Sequence, residues 1–147
     1  MEEKKKVFKL SRKSKSRLKG IDSRLIKLIE RAIKLSLHDF GIPEYGGLRT
    51  PQEQNNLFYR RPSVTQLDGF KRKSYHQSGK AFDIFLYDEH GACWDYENCG
   101  HKYKEIADLF KQTFNEMVIE EIFGLDEVFE WGGDWTKFKD YPHFQLK

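Results

Sequence analysis

Apolar residues recur at three- and four-residue steps at Leu18, Ile21, Leu25, Leu28, Ala32 and Leu35. That period predicts an amphipathic helix over 21–38, capped by Asp22 or Ser23 and stopped by Gly41-Ile42-Pro43. The period returns at Tyr103, Ile106, Ala107, Phe110, Phe114 and Met117, predicting a second long helix over 101–120. Between them, Thr50-Pro51 reads as N-cap and first position of a helix running to Tyr59, with Glu53 in its first turn and Gln54 and Phe58 on one side. Ala81 to Tyr87 is apolar at nearly every position, as in a strand covered on both faces. Shorter strands are expected at Tyr45–Arg49, Val128–Trp131 and His143–Leu146, the last two separated by the Gly132-Gly133-Asp134 turn and a loop. Residues 60–75 show little period, and a loop of that length often carries function. Helices packed on one side of a small, mostly antiparallel sheet make a single α+β domain.

Composition narrows the class. The chain has 147 residues, 38% hydrophobic and 33% charged, with a mean hydropathy of −0.77. That suits one domain with a real core. No run approaches the roughly 18 to 20 apolar residues of a membrane span. The N-terminus lacks the apolar segment of a signal peptide, so synthesis without an export signal is expected. Charge is uneven: residues 1–20 carry nine Lys/Arg against Glu2 and Glu3, and the rest of the chain sums to −4. We therefore divide the chain into a basic arm, 1–20, and a domain, 21–147. The arm reads as a solvated, frayed terminus with weak attraction to polyanions. No basic face interleaved with aromatics follows, so specific nucleic-acid binding is not expected. Cys93 and Cys99, flanked by His90 and His101, lack the pairing of a standard zinc clip. Made in a reducing compartment, they are expected to be free thiols.

Three residues suggest chemistry: His76, at the end of a loop, Asp83, inside an apolar strand, and His143, at the start of the last strand. A carboxylate in an apolar strand is costly unless paired or bound to a metal. Two imidazoles and one carboxylate are three ligands for zinc with a fourth position left for water, the pattern of a catalytic site.

Ser74-Tyr75-His76-Gln77-Ser78-Gly79-Lys80-Ala81-Phe82-Asp83 fits S-x-H-x-x-G-x-A-x-D, and Asp140-Tyr141-Pro142-His143 fits a later D/E-x-x-H. Together they resemble the VanY/VanX-type D-Ala-D-Ala metallopeptidases and the related phage endolysins that cut L-alanyl-D-glutamate bonds in peptidoglycan. Gly47-Leu48-Arg49-Thr50 with Gln54, and Val128-Phe129-Glu130-Trp131-Gly132-Gly133-Asp134-Trp135, are similar to further family segments, in family order. The resemblance spans about 41–146 and implies the family's fold and a Zn2+ ion on His76, Asp83 and His143. It implies Asp140 as general base toward the attacking water. Arg49 would stabilise the oxyanion or clamp a substrate carboxylate, and a structural salt bridge is the competing reading. Ser74 and Gln54 are candidates to hydrogen-bond substrate or to support a metal ligand. The implied partner is peptidoglycan, met by a monomeric endolysin after holin-type release from the host cytoplasm. A D-alanyl-D-alanine carboxypeptidase and a non-catalytic zinc-bearing module are the alternatives. Asp140 argues against the module.

Overall fold

The element order in the computed structural model, which describes residues 6–62 and 64–147, follows from local signals in the chain. Helix α1 (Arg12–Arg17) starts at Ser11, whose side chain accepts from the Ser14 N–H. Helix α2 (Ser23–Ile33) is capped by Asp22, which accepts from the Arg24 N–H. Helix α3 (Pro51–Phe58) has Pro in its first turn and a reciprocal capping box between Thr50 and Glu53. Helix α4 (Tyr96–Ile119) is the longest and packs on α2. The strands are β1 (Asp39–Gly41), β2 (Ala81–Asp83), β3 (Phe85–Asp88), β4 (Gly91–Cys93), β5 (Phe129–Trp131) and β6 (His143–Leu146).

The expectation of one small sheet is corrected to two. Each has three antiparallel strands, ordered β1-β3-β4 and β2-β6-β5. The apolar run 81–87 supplies a strand to each sheet, broken at Ile84, whose N–H donates to Pro142 O. Composition could not show this break, because Phe82, Ile84, Phe85 and Leu86, at and around it, are all apolar and buried. The expected strand at 45–49 is a turn instead. Its backbone groups are spent singly: Gly46 O accepts from the Asp83 N–H at 2.7 Å and the Arg49 N–H donates to His76 O at 3.0 Å. The first long helix ends at Ile33 rather than 38, and α4 begins five residues before the expected 101.

The cysteines are also corrected. Cys93, ending β4, and Cys99, in the first turns of α4, form a disulfide across a Cα separation of 6.6 Å. The Cys93–Cys99 loop thereby becomes part of a helix start rather than a thiol-bearing connection. The basic arm, read as frayed, is partly core: Leu10, Ser14 and Leu18 are buried, and the Ser14 hydroxyl accepts from the Ile42 N–H at 3.0 Å. The reason is visible in retrospect, since α1 carries its lysines on one side and a buried serine on the other. Arg12, Lys13, Lys15 and Lys19 remain exposed. Met1 to Lys5, the start of that arm, lie outside the described residues.

Phenylalanines join α4 to the β2-β6-β5 sheet. Phe110 meets Phe144 edge-on at 4.8 Å and Phe82 at 5.7 Å, and Phe82 stacks on Phe144 at 5.3 Å. Phe82 is fully buried, so Phe82→Ala is expected to cost about 3–5 kcal/mol, read as a lower midpoint in urea with an unchanged slope. A cost below about 1 kcal/mol would contradict this account of the core.

Candidate active site

Strands alternate their side chains, so β2 and β6 turn Phe82, Phe144 and Leu146 to the core and Asp83, His143 and Gln145 to the other face. Register then sets the pairs. Asp83 lies opposite His143, and Gln145 lies opposite Ala81 on one side and Glu130 of β5 on the other. His76 arrives from the 3-10 turn Tyr75–Ser78, whose capping residue Ser74 accepts from the His76 N–H at 3.1 Å.

Three donor atoms converge. His76 Nε2 lies 3.2 Å from His143 Nδ1 and 3.3 Å from Asp83 Oδ1, and the last two are 3.2 Å apart. These three groups can hold one metal ion. The opposite atom of each side chain has another partner. His76 Nδ1 faces Gly47 O at 2.9 Å, His143 Nε2 faces Gln145 Oε1 at 2.8 Å, and Asp83 Oδ2 takes Arg49 Nη2 at 3.0 Å. Each side chain therefore has one atom held from behind and one turned to the shared point. Gly47 must be glycine here, because a Cβ would sit 2.0 Å from Arg17 O.

The electrostatics agree with a cation-seeking cluster. Burial pushes the His76 pKa down, favouring the neutral ring that ligates metals. Burial opposes the charge of Asp83 and of His143, but their mutual contact outweighs it. The His143 pKa is raised, and the Asp83 carboxyl is held well below the usual carboxylate range by both histidines.

Arg49 is more enclosed than the sequence suggested. Nε donates to Tyr45 O at 2.7 Å, Nη1 to Gln54 Oε1 at 3.0 Å and Nη2 to Asp83. Gln54 is fully buried and donates its own amide to Thr65 and Leu67 O, so it braces Arg49 from behind. The two candidates for substrate contact thus separate: Ser74 lines the cleft, and Gln54 lies behind the arginine.

Asp140 is tied to the same strand system. Its N–H donates to Gly132 O at 3.0 Å and its C=O accepts from the His143 N–H at 3.1 Å. A Cβ on Gly132 would lie 2.3 Å from Asp140 O, which explains the first glycine of the Gly132-Gly133-Asp134 turn. Burial and the neighbouring Asp83 charge raise the Asp140 pKa to about 6. Asp140, Arg49, His76, Asp83 and His143 all line one cleft of about 960 Å³. Tyr45, Trp94, Tyr96 and Trp135 supply its aromatic walls, and Arg60, Lys137 and Lys139 add positive charge. A smaller hollow of about 300 Å³ beside Phe114 and Phe129 contains none of these site residues.

A model of the phage L-alanyl-D-glutamate peptidases matches residues 6–146. The chain belongs to the phage L-alanyl-D-glutamate peptidase family. Within reach of this family, it is 35% identical over 105 residues to the peptidoglycan L-alanyl-D-glutamate endopeptidase CwlK of Bacillus subtilis (strain 168). That alignment covers 68% of this chain and 57% of CwlK, so the chain spans little more than half of that relative. Among solved structures, the L-Ala D-Glu endopeptidase ChiX of Serratia marcescens superposes with a TM-score of 0.71 at 27% identity, covering 95% of this chain and 90% of ChiX. The family match begins at residue 6, inside the basic segment.

Sequence reading missed Gln145, Glu130 and Tyr45 as parts of this site. Gln145 was accessible, since a residue two after a strand histidine shares its face. Tyr45 was not, because its hold on Arg49 is made by its backbone carbonyl, which no residue type announces.

Proposed function

We propose that this protein is a zinc-dependent endopeptidase that cuts the L-alanyl-D-glutamate bond of peptidoglycan stem peptides, acting at the cell wall. The observation that carries the reading is the triangle of donor atoms with edges of 3.2, 3.2 and 3.3 Å. Tetrahedral zinc with ligand bonds of about 2.0–2.1 Å has ligand–ligand edges of about 3.3 Å. A thiol-free set of two imidazoles and one carboxylate leaves a fourth position free, as catalysis requires. The relatives CwlK and ChiX, named for the same bond, support the substrate.

When bound, zinc would supply Lewis acidity toward the scissile carbonyl and toward water. The protein does the rest. Asp140, ionised above about pH 6, accepts the proton of the attacking water and returns it to the departing D-glutamate amine. Arg49 spends three of its five N–H donors on Tyr45, Gln54 and Asp83. The other two remain for the carbonyl oxygen as negative charge develops on it. Ser74 keeps His76 in place and edges the cleft. No helix among the described residues is long and apolar enough to cross a membrane. In this reading, access to the wall from the host cytoplasm falls to a separate, holin-type release step.

Two outcomes check this reading. Incubation with defined muropeptides, followed by mass spectrometry, is expected to release fragments with a new D-glutamate N-terminus. Loss of terminal D-alanine alone would make the protein a carboxypeptidase instead. Arg49→Lys is expected to lower kcat about 10²-fold, because an ammonium cannot replace a three-way guanidinium brace. Near-parental turnover in that variant would reduce Arg49 to a surface ion pair.

The cations on the cleft fit an anionic substrate. Among the described residues, Arg60, Lys137 and Lys139 are in no ion pair. A stem peptide presents a free α-carboxylate beside the L-alanyl-D-glutamate bond. Reversing charge with Lys137→Glu and Lys139→Glu is expected to raise KM several-fold at low salt, the gap closing as salt is added. An unchanged KM at low salt would remove these lysines from substrate binding.

A further inference from the structure

The metal-facing atom of an imidazole is decided by what holds its other nitrogen. For His143 that partner is a neutral side chain, Gln145, whose amide could face either way. Gln145 is buried, and its Oε1 lies 2.8 Å from His143 Nε2. Its Nε2 donates to Glu130 Oε2 at 3.1 Å, and Glu130 Oε1 takes Lys147 Nζ at 2.8 Å. The line His143–Gln145–Glu130–Lys147 thus crosses β6 and β5 and ends at the half-exposed Lys147.

We propose that Gln145, oriented by Glu130, is a positioning residue that fixes which nitrogen of His143 is offered to the metal. The inference rests on the reading of His143 as a metal ligand. Its logic is donor and acceptor counting. An ionised carboxylate only accepts, so Glu130 demands the amide NH2 and turns the amide oxygen to the imidazole. In the neutral imidazole that a metal requires, the proton then sits on Nε2 and Nδ1 keeps its lone pair. Nδ1 is the atom 3.2 Å from both Asp83 Oδ1 and His76 Nε2. With the amide reversed, oxygen would face carboxylate oxygen, and the imidazole proton would move to Nδ1. That proton would occupy the point where the three donor atoms meet. Burial opposes the charge of Glu130, but the Lys147 contact keeps its pKa below the ordinary value, so the orienting charge persists at neutral pH. Glu130 and Lys147 do not line the cleft, while Glu130 also accepts from Trp135 on its wall.

The test is zinc affinity by competition with a chromogenic chelator, together with ¹⁵N chemical shifts of the His143 ring in the metal-free protein, followed up in pH until the ring is neutral. Gln145→Leu is expected to weaken zinc binding 10- to 100-fold. Glu130→Gln, nearly identical in shape, is expected to weaken it as well, because an amide facing an amide permits both orientations, and the ring nitrogens should report a tautomer mixture. The exchanged pair, Gln145→Glu with Glu130→Gln, restores every donor–acceptor match along the line and should recover affinity above either Glu130→Gln or Gln145→Leu. A simple packing role predicts no such recovery. Parental affinity and an unmixed tautomer in Glu130→Gln would overturn the proposal, even if Gln145→Leu fails to fold. Should His143→Ala keep full zinc, the ligand reading itself fails, an outcome separate from failure of the relay.

Discussion

His143→Ala is expected to lose bound metal and peptidoglycan hydrolysis together. The variant keeps only His76 Nε2 and Asp83 Oδ1 at the shared point, and two ligands do not hold zinc through dialysis. Zinc measured per protein should fall from near one to near zero, and lysis of purified sacculi by at least about 10³-fold. A stability readout accompanies this. A ligand present at about 1,000 times its Kd stabilises the folded state by about 4 kcal/mol. Zinc should therefore raise the Tm of the parent protein by several degrees and leave that of His143→Ala unmoved. His76→Ala should behave alike, since its Nε2 forms two of the triangle's three edges. A variant at either position that retains one zinc per chain would contradict the ligand set.

The second large effect separates catalysis from metal binding. Asp140→Asn is expected to lower kcat by about 10²–10⁴-fold while zinc stoichiometry stays near one, because the amide cannot accept the proton of the attacking water. It should also stabilise the metal-free protein. The folded pKa of Asp140 is about 6, above the ordinary 3.8 of the unfolded chain, because burial and Asp83 disfavour its charge. The folded state thus binds more protons than the unfolded state between these values, and stability attributable to this group falls as pH rises from about 4 to 6. At pH 7 the ionised carboxylate is a cost on the order of 3 kcal/mol, which the asparagine avoids. In chelator, Asp140→Asn should melt above the parent at pH 7, and the two should converge near pH 4. A variant less stable than the parent at pH 7 would show that Asp140 holds the fold rather than being strained by it. Enzymes commonly give up stability at the reacting group in this way.

How much of this was legible in the chain depends on the range of the interaction. Thr50, Pro51 and Glu53 announce α3, since a capping box is made within four residues. Long periodic stretches revealed α2 and α4, though not their ends, because terminal turns are set by neighbours. The ligand trio was nominated by residue type: a lone aspartate in an apolar run needs a partner wherever it folds. Arg49 was nominated too, but its role stayed divided between oxyanion and salt bridge. Contacts with Gln54 and Asp83, five and thirty-four residues away, put the guanidinium behind the His76–Asp83–His143 cluster as well as beside the cleft.

The cysteines and the basic segment mark where local reasoning was misled. Spacing and compartment argued for free thiols, yet α4 begins early enough to bring Cys99 against Cys93. Charge density argued for a frayed arm, yet Leu10, Ser14 and Leu18 find core positions that only the completed fold offers.

By itself, the order of residues determined helices α2, α3 and α4, the chemical character of the site and the identities of the groups able to bind a cation, because these depend on period, capping and side-chain chemistry over a few positions. Only the tertiary structure decided that Ala81–Tyr87 would be shared between two sheets. It likewise aligned Asp83 with His143 across β2 and β6 and turned Gln145 toward the imidazole. Register and sheet membership are set by partners sixty residues apart, and no local pattern encodes a distance of 3.2 Å between them.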